Sequence, residues 1–121
     1  MSNFYKLGGK DGHQVIHIKG DALGWAKIYE KMDRRVKFDE VNEHTISTIF
    51  LGMDHGFGFG QRGKPIVFET MIFKGVGKDR GDEIRFWRYR TWKQAIKGHK
   101  NAVQWAQLLP DILIIEEIMK S

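Results

Sequence analysis

The chain has 121 residues, 41% of them hydrophobic, with 20 Lys and Arg against 15 Asp and Glu for a formal charge of +5, and no Cys. That length fits a single domain over residues 1–121 and rules out two full ones, and the lack of cysteine rules out a disulfide framework, a thiolate metal site and a cysteine nucleophile. The longest apolar run, Ile112 to Ile115, is far short of the roughly 20 residues of a spanning helix, and the opening MSNFYKLGGK has no apolar signal core, so a soluble protein with no membrane partner is expected.

Gln14 to Lys19 (QVIHIK) is β-branched and bounded by Gly12 and Gly20, which predicts a short strand. Asp21 is placed to cap a following helix, whose apolar stripe is Ala22, Trp25, Ala26, Tyr29 and Met32 and which stops at the charged Asp33 to Arg35; Gly24 weakens it slightly. Val36 to Phe38 reads as a minor strand and His44 to Met53 as a central one. Ile66 to Phe73 and Glu83 to Arg90 are two more, and the Gly-rich links between the three runs make an antiparallel meander the economical topology. Thr91 with Gln94 forms a capping box for the clearest helix, with Trp92, Ala95, Ile96, His99, Val103 and Ala106 on one face. Pro110 should end that helix or open the next, and Asp111 to Met119 fits either a short helix or a strand. The expected fold is α+β, an antiparallel sheet of 3–5 strands packed against two helices, with Ile112 to Met119 as a homo-oligomer contact if the monomer leaves it uncovered.

Charge is unevenly spread. Residues 60–103 hold 11 Lys and Arg against 4 acids, a surplus of seven, while the rest of the chain has 9 against 11, or −2. Such asymmetry points to an anionic partner, a small molecule or nucleic acid, although the same charges also solvate an ordinary surface. The loop after Gly52 joins close backbone approach to stacking rings at Phe57 and Phe59 and to the cations Arg62 and Lys64, an arrangement suited to an anion or nucleotide. It is not a P-loop, because Pro65 follows Lys64 where Ser or Thr is needed. Asp54 and His55 sit at a strand end facing that loop, Glu69 shares a strand face with Val67, Met71 and Phe73, and His99 interrupts an apolar helix stripe. These four could build a metal or acid/base site, or could be a turn cap, a cross-sheet partner of Arg88 or Arg90, and a core histidine. In Glu83 to Arg90, Ile84, Phe86, Arg88 and Arg90 alternate with Arg85, Trp87 and Tyr89; arginine interleaved with aromatics holds single-stranded nucleic acid in some sheets and covers a helix in others. His13 and His17, about 13 Å apart on one strand face, are too far apart to chelate one ion and receive no role.

The segments TISTIFLGMDHGFGFG, PIVFETMIF and RYRTWKQAIKGHKNAV, spanning roughly Thr45 to Val103, resemble a family of short proteins encoded by tailed bacteriophages. The shared elements fall on Leu51, Gly52, Asp54 and His55, then Phe68, Glu69, Thr70, Met71 and Phe73, then Arg88, Tyr89, Thr91, Gly98 and His99; the QRGK stretch before Pro65 and the first forty residues depart from the pattern. The resemblance implies a phage or prophage origin and action in the host bacterial cytoplasm, and brings no activity with it. The leading expectation is an accessory binding protein without a cofactor. It would capture a nucleotide-like anion or block a host protein, with Phe57, Phe59, Arg62 and Lys64 on the ligand and Asp54, His55, Glu69, Arg88 and His99 around it. A small metal-assisted hydrolase using Asp54, His55, Glu69 and His99, and a virion or assembly component, are the alternatives.

Overall fold

Alternation along HTISTIF decides the architecture. Ile46, Thr48 and Phe50 are buried on one face of this central strand, and in the strand paired with it Phe68, Thr70 and Ile72 are buried on the same side. The computed structural model describes residues 3–56 and 64–120, with residues 111 and 112 described by their backbone alone. In chain order the elements are β1 (Tyr5–Gly8), β2 (Gln14–His17), α1 (Ala22–Lys31), β3 (Arg35–Val41), β4 (His44–Phe50), β5 (Phe68–Lys74), a 3₁₀ turn (Gly77–Asp79), β6 (Glu83–Tyr89) and α2 (Trp92–Lys120). The four strands β3-β4-β5-β6 form an antiparallel meander, and β1-β2 is a separate two-stranded hairpin. The α+β class therefore holds, with two sheets and the larger one packed against α2.

The first strand, β1, lies in a stretch for which composition predicted no element, and β3 extends to Val41, well past the expected Phe38. Asp21 does cap α1, its Oδ1 accepting the Gly24 N–H at 2.8 Å. The predicted capping box also forms: Thr91 Oγ1 accepts from the Gln94 N–H at 3.1 Å while Gln94 Oε1 accepts from the Thr91 N–H at 3.3 Å.

α2 lies across the sheet on a seam of small residues. Ala95, Ala102 and Ala106 are fully buried, and Gly98 sits so close to the Tyr89 ring that a Cβ there would collide with it. Small side chains let the helix backbone approach the sheet, so β-strand residues do the filling. Ile46 and Ile72 fill one half with Trp87, Trp105 and Val103, while Phe50, Val67 and Phe68 fill the other with Tyr29, Met32, Tyr89 and Trp92. Ile96, expected on the buried face, is 38% exposed, because the buried row is Ala95, His99, Ala102 and Ala106 and Ile96 lies about 100° round the helix from Ala95.

Pro110 neither ends nor opens a helix: α2 runs through it for 29 residues, and the expected strand or separate short helix at Asp111 to Met119 is the last part of the same helix. A proline inside a helix removes the N–H that would bond the carbonyl four residues earlier, here Ala106. That carbonyl has a substitute partner. Asn42 Nδ2 donates to Ala106 O at 3.2 Å and to Gln107 O at 3.3 Å. Asn42 can reach them because it and Glu43 form the two-residue β3–β4 turn, with φ of 48° and 60°. Replacing Asn42 by Gly keeps the turn and removes the amide, and should cost about 1–2 kcal/mol. In a Pro110→Ala background Ala106 O regains a helical donor, so the same replacement should cost less than half as much. Thermal unfolding of the parent and the three variants checks this, and equal costs in both backgrounds would show that Asn42 does not compensate the proline.

Candidate functional site

The β1–β2 hairpin is anchored on the Phe50/Phe68 half of the core by Tyr5, Leu7 and Val15. Its two-residue period puts Tyr5 and His17 side by side, with ring centroids 5.2 Å apart, and points His13, Val15 and His17 to one side. Opposite them stands the start of α2. There the capping box fixes the backbone, Gln94 Oε1 accepting also from the Arg90 N–H at 3.0 Å. Between hairpin and helix lies a cavity of about 470 Å³. Tyr5, His13, Gln14, Val15 and His17 form its hairpin wall; Lys64 and Pro65, then Arg90, Thr91, Trp92 and Lys93, form the other.

Three permanent cations, two imidazoles and the two aromatic rings of Tyr5 and Trp92 meet there, and among the described residues no carboxylate lines the cavity. Arg90 donates a hydrogen bond to the Lys64 carbonyl, tying the two cationic segments of that wall together. The His13 ring lies flat on Trp92, with centroids 3.7 Å apart and planes within 6°, so the imidazole covers that face of the indole. Trp92 is itself held edge-on by Phe68, at 6.2 Å and 86°. Asp11 is near the rim, 3.5 Å from His13 Nδ1. The Tyr5 phenol has its pKa raised, first by burial and then by the charge of Asp54, so it stays a neutral hydrogen-bonding group throughout the physiological range.

Of the residues expected at a site, Lys64 lines this cavity. Phe57, Phe59 and Arg62 lie outside the described residues. Asp54 is a turn pin: its Oδ1 accepts from the Gly56 N–H at 2.8 Å and the Ile66 N–H at 3.0 Å. His55 bonds locally through Nδ1 to the Met53 carbonyl, and its backbone N–H pairs with Ile66 O. Glu69 and Arg88 do not line a pocket floor. They form a 2.7 Å ion pair on the sheet face turned away from α2, Glu69 being only 4% exposed. His99 is on the other face, under the helix, so the sheet itself separates it from Glu69. Among the described residues no three His, Asp or Glu side chains are grouped to hold a metal ion. The hydrolase expectation therefore has no assembled centre in Asp54, His55, Glu69 and His99.

What His99 does instead is hold α2 to the sheet. Its Nε2 bonds Asp39 Oδ2 and its Nδ1 bonds Thr48 Oγ1, both at 2.7 Å, and Thr48 bonds Thr70 at 2.5 Å. Burial pushes the imidazole pKa below its ordinary 6.5, against the pull of Asp39 and with some help from Lys37. The neutral ring donates from Nε2 to the carboxylate, so Nδ1 accepts from Thr48 and Thr48 from Thr70. The adjoining Tyr89 phenol has its pKa raised by burial, partly offset by its hydrogen bond with Thr70.

His13 and His17, given no role from sequence, line the cavity together with Tyr5, Arg90, Trp92 and Lys93. The one signal that could have pointed there was the density of cations around the capping box. No family model, curated protein or solved structure matched this chain.

The lowered His99 pKa carries a pH dependence. As pH falls below about 6.5 the unfolded chain takes up a proton that the folded chain refuses, so stability present above that pH is lost as pH falls toward the folded value. Urea midpoints should drop from pH 7.5 to 5.5 in the parent chain and drop less in His99→Gln. An unchanged pH slope in the variant would remove His99 as the cause.

Proposed function

We propose that this chain is a non-catalytic binding protein that captures a small phosphate-bearing, nucleotide-like anion in the cavity between the β1–β2 hairpin and the start of α2. One observation carries the reading: Lys64, Arg90 and Lys93 meet the rings of Tyr5 and His17 and the His13–Trp92 stack in a space of ligand size, with no acid among the described residues of its lining. The cations supply charge-assisted hydrogen bonds to phosphate oxygens, and the rings supply a stacking surface for a base. A setting in keeping with the phage resemblance is an accessory factor in the host bacterial cytoplasm that withholds such an anion from host enzymes.

Thermal shift followed by titration calorimetry with nucleoside mono- and triphosphates, cyclic nucleotides and inorganic phosphate tests it. Stabilisation by at least one phosphate ligand is expected, and Lys64→Ala or Lys93→Ala should each weaken binding about tenfold, in line with about 1.5 kcal/mol for one charge-assisted bond. Affinity should fall as salt rises. A chain that none of these ligands stabilises would sink the reading.

A second reading concerns the end of α2. Beyond Ala106 no described side chain of the helix is buried, and Leu108, Leu113, Ile114, Ile115, Ile118 and Met119 are 55–81% exposed. No helix among the described residues is long and apolar enough to cross a membrane. Such a patch favours self-association of the chain. Light scattering after size exclusion should give a concentration-dependent oligomer that Ile115→Glu with Ile118→Glu returns to monomer; a parent chain monomeric at high concentration would overturn this reading.

A further inference from the structure

The cavity opens onto a track of cations. Lys93, at the cavity wall, is followed along α2 by Lys97 and Lys100. The spacing of four and three residues stacks all three on one side of the helix, and all are exposed. This is the side away from the sheet, since the buried row is Ala95, His99, Ala102 and Ala106. From Trp92 to Pro110 the helix carries these three lysines and His99 but no Asp or Glu; its first acid is Asp111. Among the described residues none of the three lysines is ion-paired. An unneutralised row of this kind leads from the mouth of the cavity out along a surface.

Resting on the cavity reading above, we infer that the ligand is the end of a single-stranded nucleic acid, its terminal nucleotide in the cavity and its next phosphates on Lys97 and Lys100. Lys93 and Lys100 are seven residues apart, about 10 Å along the helix axis. That is the rise of about three stacked nucleotides at about 3.4 Å each. A mononucleotide would use the cavity and leave the track empty. A duplex would meet the lysines but could not offer a base to the rings of the cavity, because its bases are paired and stacked within the helix. An acidic peptide would satisfy the lysines and leave the ring faces unused. A terminal unpaired base followed by regularly spaced phosphates uses both features, the combination by which single strands are held without sequence readout.

Fluorescence anisotropy on the full chain with labelled dT12 and U12 tests the inference against thymidine monophosphate by calorimetry, a 12-base-pair duplex and an oligoglutamate peptide. The informative variant is Lys97→Glu with Lys100→Glu, which changes exposed residues outside the cavity and whose folding is checked by circular dichroism. We expect at least about tenfold weaker oligonucleotide binding by this variant. The slope of log affinity on log salt should shrink by about 1.4, at about 0.7 per lost phosphate contact on a single strand. Its affinity for the mononucleotide should stay within about twofold of the parent, as it must if the track lies outside the cavity. Oligonucleotides bound no more tightly than the mononucleotide would overturn the strand and leave the cavity reading standing. Binding of neither would end both. Duplex or oligoglutamate bound as tightly as dT12 would likewise overturn the strand, in favour of plain charge attraction or of an acidic protein.

Discussion

The seating of α2 on the sheet is the constraint from which the rest follows. Three alanines and Gly98 let the helix backbone come close, and the Asp39–His99–Thr48–Thr70 chain of hydrogen bonds fixes where along the sheet it rests. Small residues alone give a smooth seam along which a helix could slide. A buried imidazole with both nitrogens bonded permits one register, because any shift would leave polar atoms unpaired in a dry interior. Gly98 works in the same sense. Alanine is the better helix former by about 1 kcal/mol, but its methyl would collide with Tyr89, so packing overrides propensity there. The cavity is built on this register: one of its walls is the start of α2, and a helix shifted by one turn would carry Trp92 and Lys93 away from the hairpin.

Much of this framework could be read in the sequence, because it rests on local signals. HTISTIF and FETMIF are β-branched and alternate with the pleat, Asp21 and the Thr91/Gln94 pair are caps that act within three residues, and glycine-rich links mark the meander. Where reading failed, the deciding partner was distant. Pro110 stops helices by orphaning a carbonyl, and nothing near it in sequence says that Asn42, 64 residues away from Ala106, supplies the missing donor. β1 is short, and its pairing with β2 depends on the Phe50/Phe68 core that both strands cover.

The candidate site was less legible for the same reason. The cavity joins residues near positions 5–17, 64–65 and 90–93, segments brought together only when the hairpin docks. His13 and His17 fail as a chelating pair because of the very spacing that lets both face one wall of a wide cavity. Glu69, by contrast, drew attention as a carboxylate on an apolar strand face, and there it has the ordinary solution, an arginine on the neighbouring strand. His99 likewise marks the fold, where sequence alone left a functional part open.

Where positive potential accumulates depends on which cations are neutralised. The sheet face away from α2 also shows aromatics with arginines over them, Arg35 on Phe38, Arg80 on Phe73 and Arg88 on Phe86. It resembles a stacking platform, yet Arg88 is held by Glu69, and Glu40 and Glu83 alternate onto the same face. Its charges balance, so an anion gains little there. At the start of α2 the cavity holds Lys64 and Lys93 beside Arg90, with no acid among the described residues of its lining, and the helix beyond continues with Lys97 and Lys100. At that end the cations share one cavity with the rings of Tyr5, His17 and the His13–Trp92 stack, which the balanced sheet face does not offer them.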